Sequence, residues 1–365
     1  MGTPNVRCGG RLTIVEREIP ITAFSWEGRP VFVTGATGLL GSWLVPELAR
    51  RGAHVVALVR DGSPRSRLVR DGWLMRIASV QGSLCDDGLL RRAFAEYSID
   101  TVFHLGAQTL VGVAKTDPVG TLESNVRGTW MLLEAARQTG VRQVVVASSD
   151  KAYGDSPNLP YREDHPVQGR FPYDVSKSCT DLITTMYART FGLRSAIARC
   201  GNLFGGGDLN FSRLVPGVIR ATLRGEPFLI RSDGKFVRDF LYIEDAAEAY
   251  LTLAEKLAVE DALAGEAFNF GLELRATMLE LTEKILAMMG RSDLRPVVQN
   301  IASAEIREQY LDAGKARKLL AWSPRHGMDE GLRRTIEWYR EFLRDETAGA
   351  VKRYQERAAR RRGTS

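Results

Sequence analysis

The chain has 365 residues, 44% hydrophobic and 26% charged, proportions that exclude wholesale disorder, collagen-like repeats and an integral membrane protein. Its length calls for two lobes or one large α/β domain, with enough material for a sizeable core. The net charge of +6 raises nucleic-acid binding, but six basic residues against Glu356 place +5 of it between Ala350 and Ser365, leaving +1 for residues 1–349.

Residues 1–28 read as a mixed extension ending in Phe24-Ser-Trp-Glu-Gly-Arg29, with no apolar run long enough for a signal-peptide core. Beyond it, Val31–Thr34, Val55–Val59, Ile77–Val80, Thr101–Leu105, Gln143–Ser148 and Ser195–Arg199 are expected as buried strands. Amphipathic helices are expected over Leu40–Arg51, Leu122–Thr139 and Ser176–Thr190. Strand, helix, strand at this spacing predicts an α/β fold with a doubly wound parallel sheet over residues 29–200. After Arg199 the alternation fades, and residues 201–348 are expected to form a smaller mixed α/β lobe over the sheet's carboxyl edge. Residues 349–365 make a basic tail, a solvated helix end or a disordered arm.

No later run approaches a membrane span, so a cytoplasmic protein without membrane contact is expected. Cys8, Cys85, Cys179 and Cys200 form no C-x-x-C pair and read as reduced thiols. His54, His104, His165 and His326 show no ligand spacing, so no metal is expected.

Val31-Phe-Val-Thr-Gly35-Ala-Thr-Gly38-Leu-Leu-Gly41 places three glycines between the first strand and the first helix. Such a turn lets backbone approach a pyrophosphate at the positive helix N-terminus, although a tight turn without a ligand reads the same way. At the end of the second strand, Ala57-Leu-Val-Arg60-Asp61 has Val59 where an acid would select NAD. Arg60 leans towards NADP, while Asp61 can still reach the ribose.

Tyr173-Asp-Val-Ser-Lys177 puts a phenol and an ammonium one helical turn apart. Such a lysine lowers the phenol's pKa, so that Tyr173 can act as a base on a hydroxyl; a plain helix-surface pair is the alternative. Ser148-Ser149-Asp150-Lys151 falls at the carboxyl end of a predicted strand, where open α/β sheets bind ligands.

Together with His104-Leu-Gly-Ala107, Asn125-Val-Arg-Gly-Thr129, Arg199-Cys-Gly-Asn202, Arg238-Asp-Phe-Leu-Tyr-Ile-Glu-Asp245 and Trp338-Tyr339, these motifs resemble the extended short-chain dehydrogenase/reductases of the nucleotide-sugar epimerase and dehydratase branch. The resemblance runs from about Phe24 to about Arg340. The Asp150-Lys151 pair is similar to that of CDP-glucose 4,6-dehydratases, as are Phe24–Arg29, Tyr161-Arg-Glu163 and Gly205-Gly-Gly-Asp208 with Arg213-Leu-Val-Pro216. The Arg60 region resembles GDP-mannose 4,6-dehydratases, and Arg238-Asp-Phe-Leu-Tyr-Ile follows the general branch pattern, so CDP, GDP, UDP and dTDP stay open as the base.

The resemblance implies a Rossmann-type domain and a tightly bound, recycled NAD or NADP held by Gly35, Thr37, Gly38, Leu39, Arg60, Ser83, Leu84, Leu105 and Ala107, with Tyr173 and Lys177. It implies that Gln108, Asn202, Arg213 and Arg238 hold a nucleotide-diphosphate sugar. Tyr173, with Lys177 and Ser149, would take the C4 hydroxyl proton, Lys151 would act as base or orienter at C5, and Asp150, kept protonated by burial, would protonate the departing C6 hydroxyl. Asp150-Lys151 can instead be a structural ion pair or part of an epimerase site. A cofactor-binding regulator or nucleic-acid-binding protein is the non-catalytic alternative. The resemblance also implies a homodimer or homotetramer paired through residues 122–139 and 176–190, where Trp130, Leu132, Leu133, Leu182, Ile183 and Met186 serve either an interface or the core.

Overall fold

The computed structural model describes residues 24–301 and 305–362, with side chains up to residue 346. Cys8, most of the expected extension and the side chains of the basic tail lie outside the described residues. Six of the sheet's strands are β1 Pro30–Thr34, β2 His54–Val59, β3 Ala78–Gln81, β4 Thr101–His104, β5 Gln143–Ser149 and β6 Ser195–Cys200. Their order is β3-β2-β1-β4-β5-β6, continued by Ala267–Phe270 beside β6, and every pairing is parallel. The order reverses between β1 and β4, which opens a crevice outside the carboxyl ends of those strands.

The seventh strand comes from the segment expected in the carboxyl-terminal lobe. It runs Ala-Phe-Asn-Phe, and four residues are too few for periodicity to mark out, yet Phe268 and Phe270 are wholly buried. Helix Ile243–Val259 packs on the same sheet, so residues 243–270 belong with it and the boundary at residue 200 is corrected. Alternation along β1 sends Val31 and Val33 to one core and Phe32 to the other. The first core is covered by helices Gly41–Arg50 and Ile243–Val259, the second by Asp87–Glu96, Gly128–Thr139 and Pro172–Phe191.

The expected extension also needs trimming, because Trp26 is core. Its ring lies 5.9 Å from that of Phe103, and its indole N–H donates to Glu255 at 2.7 Å. Cys85, Cys179 and Cys200 are free thiols, and only Cys200 is buried. Among the described residues no helix is long and apolar enough to cross a membrane.

Short strands Val237–Arg238, Ala276–Thr277 and Glu308–Gln309 form a small sheet in the lobe. Its keystone is Asp239, fully buried, which accepts from the backbone N–H groups of Phe240 at 2.8 Å, Leu274 at 2.9 Å, Glu273 at 3.2 Å and Leu311 at 3.4 Å. Asp239→Ala would strand several buried donors at once. Its expected cost is about 3–5 kcal/mol, read as a fall in the denaturant midpoint, with Asp239→Asn losing less because one acceptor oxygen remains.

Candidate active site

The glycine turn is built as tightly as its sequence requires. Gly35 has φ +67°, and a Cβ there would lie 2.8 Å from the Gly106 nitrogen; a Cβ on Gly41 would lie 2.3 Å from the Gly35 oxygen. The Gly38 N–H donates to that oxygen at 3.0 Å, and Ser66 pins the loop by donating to the Thr37 carbonyl at 2.8 Å. The Ser42 and Trp43 N–H groups at the start of helix Gly41–Arg50 donate to the Gly38 and Leu40 carbonyls at 3.0 Å, and the close-packed glycine turn before that helix N-terminus is a cradle that fits the pyrophosphate of a dinucleotide. Gly35, Thr37, Gly38 and Leu39 lie in this turn, and Leu105 and Ala107 follow β4 opposite it.

Beneath the turn runs a network no functional expectation included. The Thr34 hydroxyl accepts from the Gly106 N–H at 2.9 Å and meets His104 Nδ1 at 3.0 Å, while His104 Nε2 meets the Thr129 hydroxyl at 3.0 Å. Burial, helped by nearby Lys177, pushes the imidazole down to about 3, so the ring is a neutral strut between β1, β4 and helix Gly128–Thr139.

Leu84 lies over Gly106, whose added Cβ would meet it at 3.0 Å. Ser83 turns its hydroxyl to the Cys85 N–H at 3.2 Å. Arg60 follows β2 but is 71% exposed and already paired with Asp61 at 2.6 Å.

The Tyr173 helix begins at Pro172, not at Ser176, because a proline in the first turn gives up an N–H that has no helical partner. That start puts Tyr173 and Lys177 on one turn, 8% and 4% exposed. The Ser149 hydroxyl donates to Asp150 Oδ1 at 2.9 Å and accepts from the Lys151 N–H at 3.3 Å, and it opposes the rise that burial imposes on the Tyr173 phenol. Ser149, Asp150 and Tyr173 thus come together at the end of β5.

Lys177 is tied to β5. Its ammonium donates to the Ala147 carbonyl at 2.8 Å, and burial lowers it to about 8 against the pull of Asp181. Burial raises the Tyr173 phenol above its ordinary range, and the cation that opposes this is Arg213. Arg213 stands just before helix Leu214–Leu223 and donates to Asp208 and to Thr109, both at 3.1 Å.

Asp150 and Lys151 sit in a buried charge cluster that includes residues from distant segments. Lys151 Nζ donates to Gln309 Oε1 at 2.7 Å. Burial and Arg238 lower that ammonium's pKa, while Asp150, Asp174 and Glu305 oppose them. Asp174, 3% exposed, is raised to about 6, by burial first and by Asp150, with Lys151 and Arg238 pulling the other way. Arg238 is itself buried, donating to the carbonyls of Val237 at 2.8 Å and Arg307 at 3.1 Å. Sequence reasoning missed Asp174, Glu305 and Gln309. Asp174 lay inside a quoted motif without a role, and the other two had no local signal.

Two expected substrate residues are engaged elsewhere. The Gln108 amide donates to the Leu110 carbonyl and the Thr121 hydroxyl and accepts from the Leu110 N–H, so it shapes its own loop. The Asn202 amide donates to the Asp239 carbonyl at 3.1 Å.

A glycine cradle at the switch point, beside a buried Ser-Tyr-Lys group and a charged cluster, defines a dinucleotide-dependent enzyme acting on a polar substrate. Residues 31–271 match the model of the NAD dependent epimerase/dehydratase family, and the chain belongs to that family. It is 33% identical to the CDP-glucose 4,6-dehydratase of Salmonella typhimurium over 337 residues, covering 88% of this chain and 93% of that one. It is 30% identical to the dTDP-glucose 4,6-dehydratase of Neisseria meningitidis over 339 residues, 85% and 93% of the two chains. Among solved structures, dTDP-glucose 4,6-dehydratase from Streptomyces venezuelae with NAD and TYD bound superposes with a TM-score of 0.77 at 30% identity, covering 86% of this chain and 97% of that one. UDP-glucose 4-epimerase from Thermotoga maritima with UDP-glucose gives 0.78 at 28% identity, covering 86% and 99%.

Proposed function

We propose that this chain is a nucleotide-sugar 4,6-dehydratase, converting an NDP-hexose to an NDP-4-keto-6-deoxyhexose. The observation that carries this reading is the buried Asp150 with the half-buried Lys151, both hydrogen-bonded to Ser149 at the end of β5. An epimerase needs a base for the C4 hydroxyl but no acid for a leaving group, and Asp150 and Lys151 supply the second half of the chemistry. The fold is shared with an epimerase, so the reading rests on the site.

When bound, the oxidised nicotinamide would accept hydride from the sugar, return it later, and add positive charge beside the phenol. Tyr173, beside Ser149, takes the C4 hydroxyl proton. The resulting ketone makes the C5 hydrogen acidic, and Lys151, whose pKa is lowered by burial and Arg238, is placed to take it. Asp150 delivers a proton to the C6 hydroxyl as it leaves. Arg213 and Arg238 are the guanidinium groups that would hold the diphosphate.

The cofactor reading is NAD, supported by the Streptomyces venezuelae dehydratase, whose structure has NAD bound. CDP-glucose is the first substrate candidate, supported by the Asp-Lys pair and by the Salmonella relative. Pairing of two copies through helices Gly128–Thr139 and Pro172–Phe191 is part of the same reading. Trp130, Leu182 and Met186 are exposed there and support it, whereas Leu132 and Leu133 are fully buried core.

The test is turnover of CDP-glucose, dTDP-glucose, UDP-glucose and GDP-mannose, with an inventory of the cofactor released on denaturation. A 4-keto-6-deoxy product, seen by its alkali-dependent absorbance, with released NAD is expected. An epimeric hexose without loss of water would overturn the reading.

A further inference from the structure

Two buried polar atoms in the charge cluster have no hydrogen-bond partner among the described residues: Asp150 Oδ2 and Gln309 Nε2. Their residues are 2% and 0% exposed. Buried polar atoms are normally satisfied, so a pair of orphans in one cluster points to a missing group.

The orientation of the Gln309 amide follows from chemistry. An ammonium can only donate, so Lys151 Nζ at 2.7 Å must meet the carbonyl oxygen, which turns the NH₂ group away. The backbone around it is held firmly. Gln309 lies opposite Arg238 in the small sheet, its carbonyl accepts from the Asp239 N–H at 2.9 Å, and the next carbonyl accepts from the Tyr161 N–H at 2.9 Å. Asp150 Oδ1 is already taken by Ser149. As the acid of the dehydratase reading Asp150 carries its proton on Oδ2, so both orphans need an acceptor, and the oxygen of one hydroxyl, with two lone pairs, can take both.

We propose that Gln309 is a positioning and specificity residue whose Oε1 holds the Lys151 ammonium while its Nε2, with Asp150 Oδ2, grips one hydroxyl of the bound hexose. This rests on the dehydratase reading, in which the hydroxyl facing Asp150 is the departing one on C6. The carboxyl-terminal lobe then reports the presence of that hydroxyl directly to the base. The charged groups facing Lys151 are Asp150 from the turn after β5, Asp174 from helix Pro172–Phe191, Arg238 from the small sheet and Glu305 from the loop before Gln309.

The test compares Gln309→Met and Gln309→Glu with the wild-type holoenzyme, using whichever nucleotide hexose it turns over and that sugar's 6-deoxy analogue as a binding probe. Gln309→Met is expected to weaken the hexose by about tenfold and the 6-deoxy analogue by less than about twofold, the size of one lost hydrogen bond. In Gln309→Glu the new carboxylate favours the Lys151 ammonium, so the acidic limb of the kcat profile should move up by about one pH unit. The comparison of two ligands is internal to one variant, and if the Met variant does not fold, the Glu profile decides alone. Equal weakening of both ligands would mean a structural role, and unchanged affinities would mean that the orphans enclose a water; either overturns the proposal. Failure of the wild type to make a 4-keto-6-deoxy product is a different result, which sinks the dehydratase reading instead.

Discussion

Tyr173→Phe is expected to lower kcat by about 10³-fold, the usual worth of a positioned acid–base group, or about 4 kcal/mol of barrier. The ring is nearly buried, and Phe keeps its volume, so the denaturant midpoint should stay close to wild type. What is lost is the only oxygen on that side chain, which Ser149 and the opposing charge of Arg213 address. Steady-state kinetics with a binding measurement for the nucleotide sugar separate the two effects. A variant retaining a tenth or more of the wild-type kcat would remove Tyr173 from the reaction. Because burial raises the phenol while Arg213 and Ser149 act against it, Arg213 becomes a second determinant of how readily Tyr173 ionises.

Asp150→Asn carries the second large effect, and it should separate two halves of the chemistry. The amide can still accept from the Ser149 hydroxyl as Oδ1 does now, so Tyr173 keeps its neighbour and oxidation at C4 should persist. An amide cannot deliver a proton to a leaving hydroxyl, and release of the 4-keto-6-deoxy sugar should fall by about 10²–10³-fold. The measurement is product release beside the change in cofactor absorbance after a single addition of substrate. Release at the wild-type rate would strip Asp150 of its role. The acid would then be sought at Asp174, already raised to about 6 by burial and by Asp150 itself.

Much of the site was legible because its parts are local. The glycine turn, the end of β5 and the Tyr173–Lys177 turn are each a run of fewer than a dozen residues whose types and spacing imply their backbone. All six predicted strands of the amino-terminal half fall within one residue of the observed ones; five of them are buried apolar runs with sharp polar ends, whereas β3, expected to be buried, is a half-exposed edge strand. Local reading did not show what these side chains touch. Lys177 sits where the spacing places it, and its ammonium donates to the Ala147 carbonyl. Gln108 donates to the Thr121 hydroxyl and Asn202 to the Asp239 carbonyl.

The Gly205–Gly207 turn shows the same division. The sequence announces a turn there, but the need for glycine is set by Trp338, whose ring would lie 2.4 Å from a Cβ on Gly206, and by Trp43, which donates to the Gly206 carbonyl at 2.8 Å. Sequence by itself determined the doubly wound sheet and the glycine turn and singled out Ser149, Asp150, Lys151 and Tyr173 as candidates, because these lie in periodic runs or in motifs a turn or two long. Tertiary structure alone decided the seventh strand, the burial that shifts Tyr173, Lys151 and Asp174, and the arrival of Gln309 from far along the chain. Those depend on desolvation and on contacts between segments up to 158 residues apart, which no local pattern encodes.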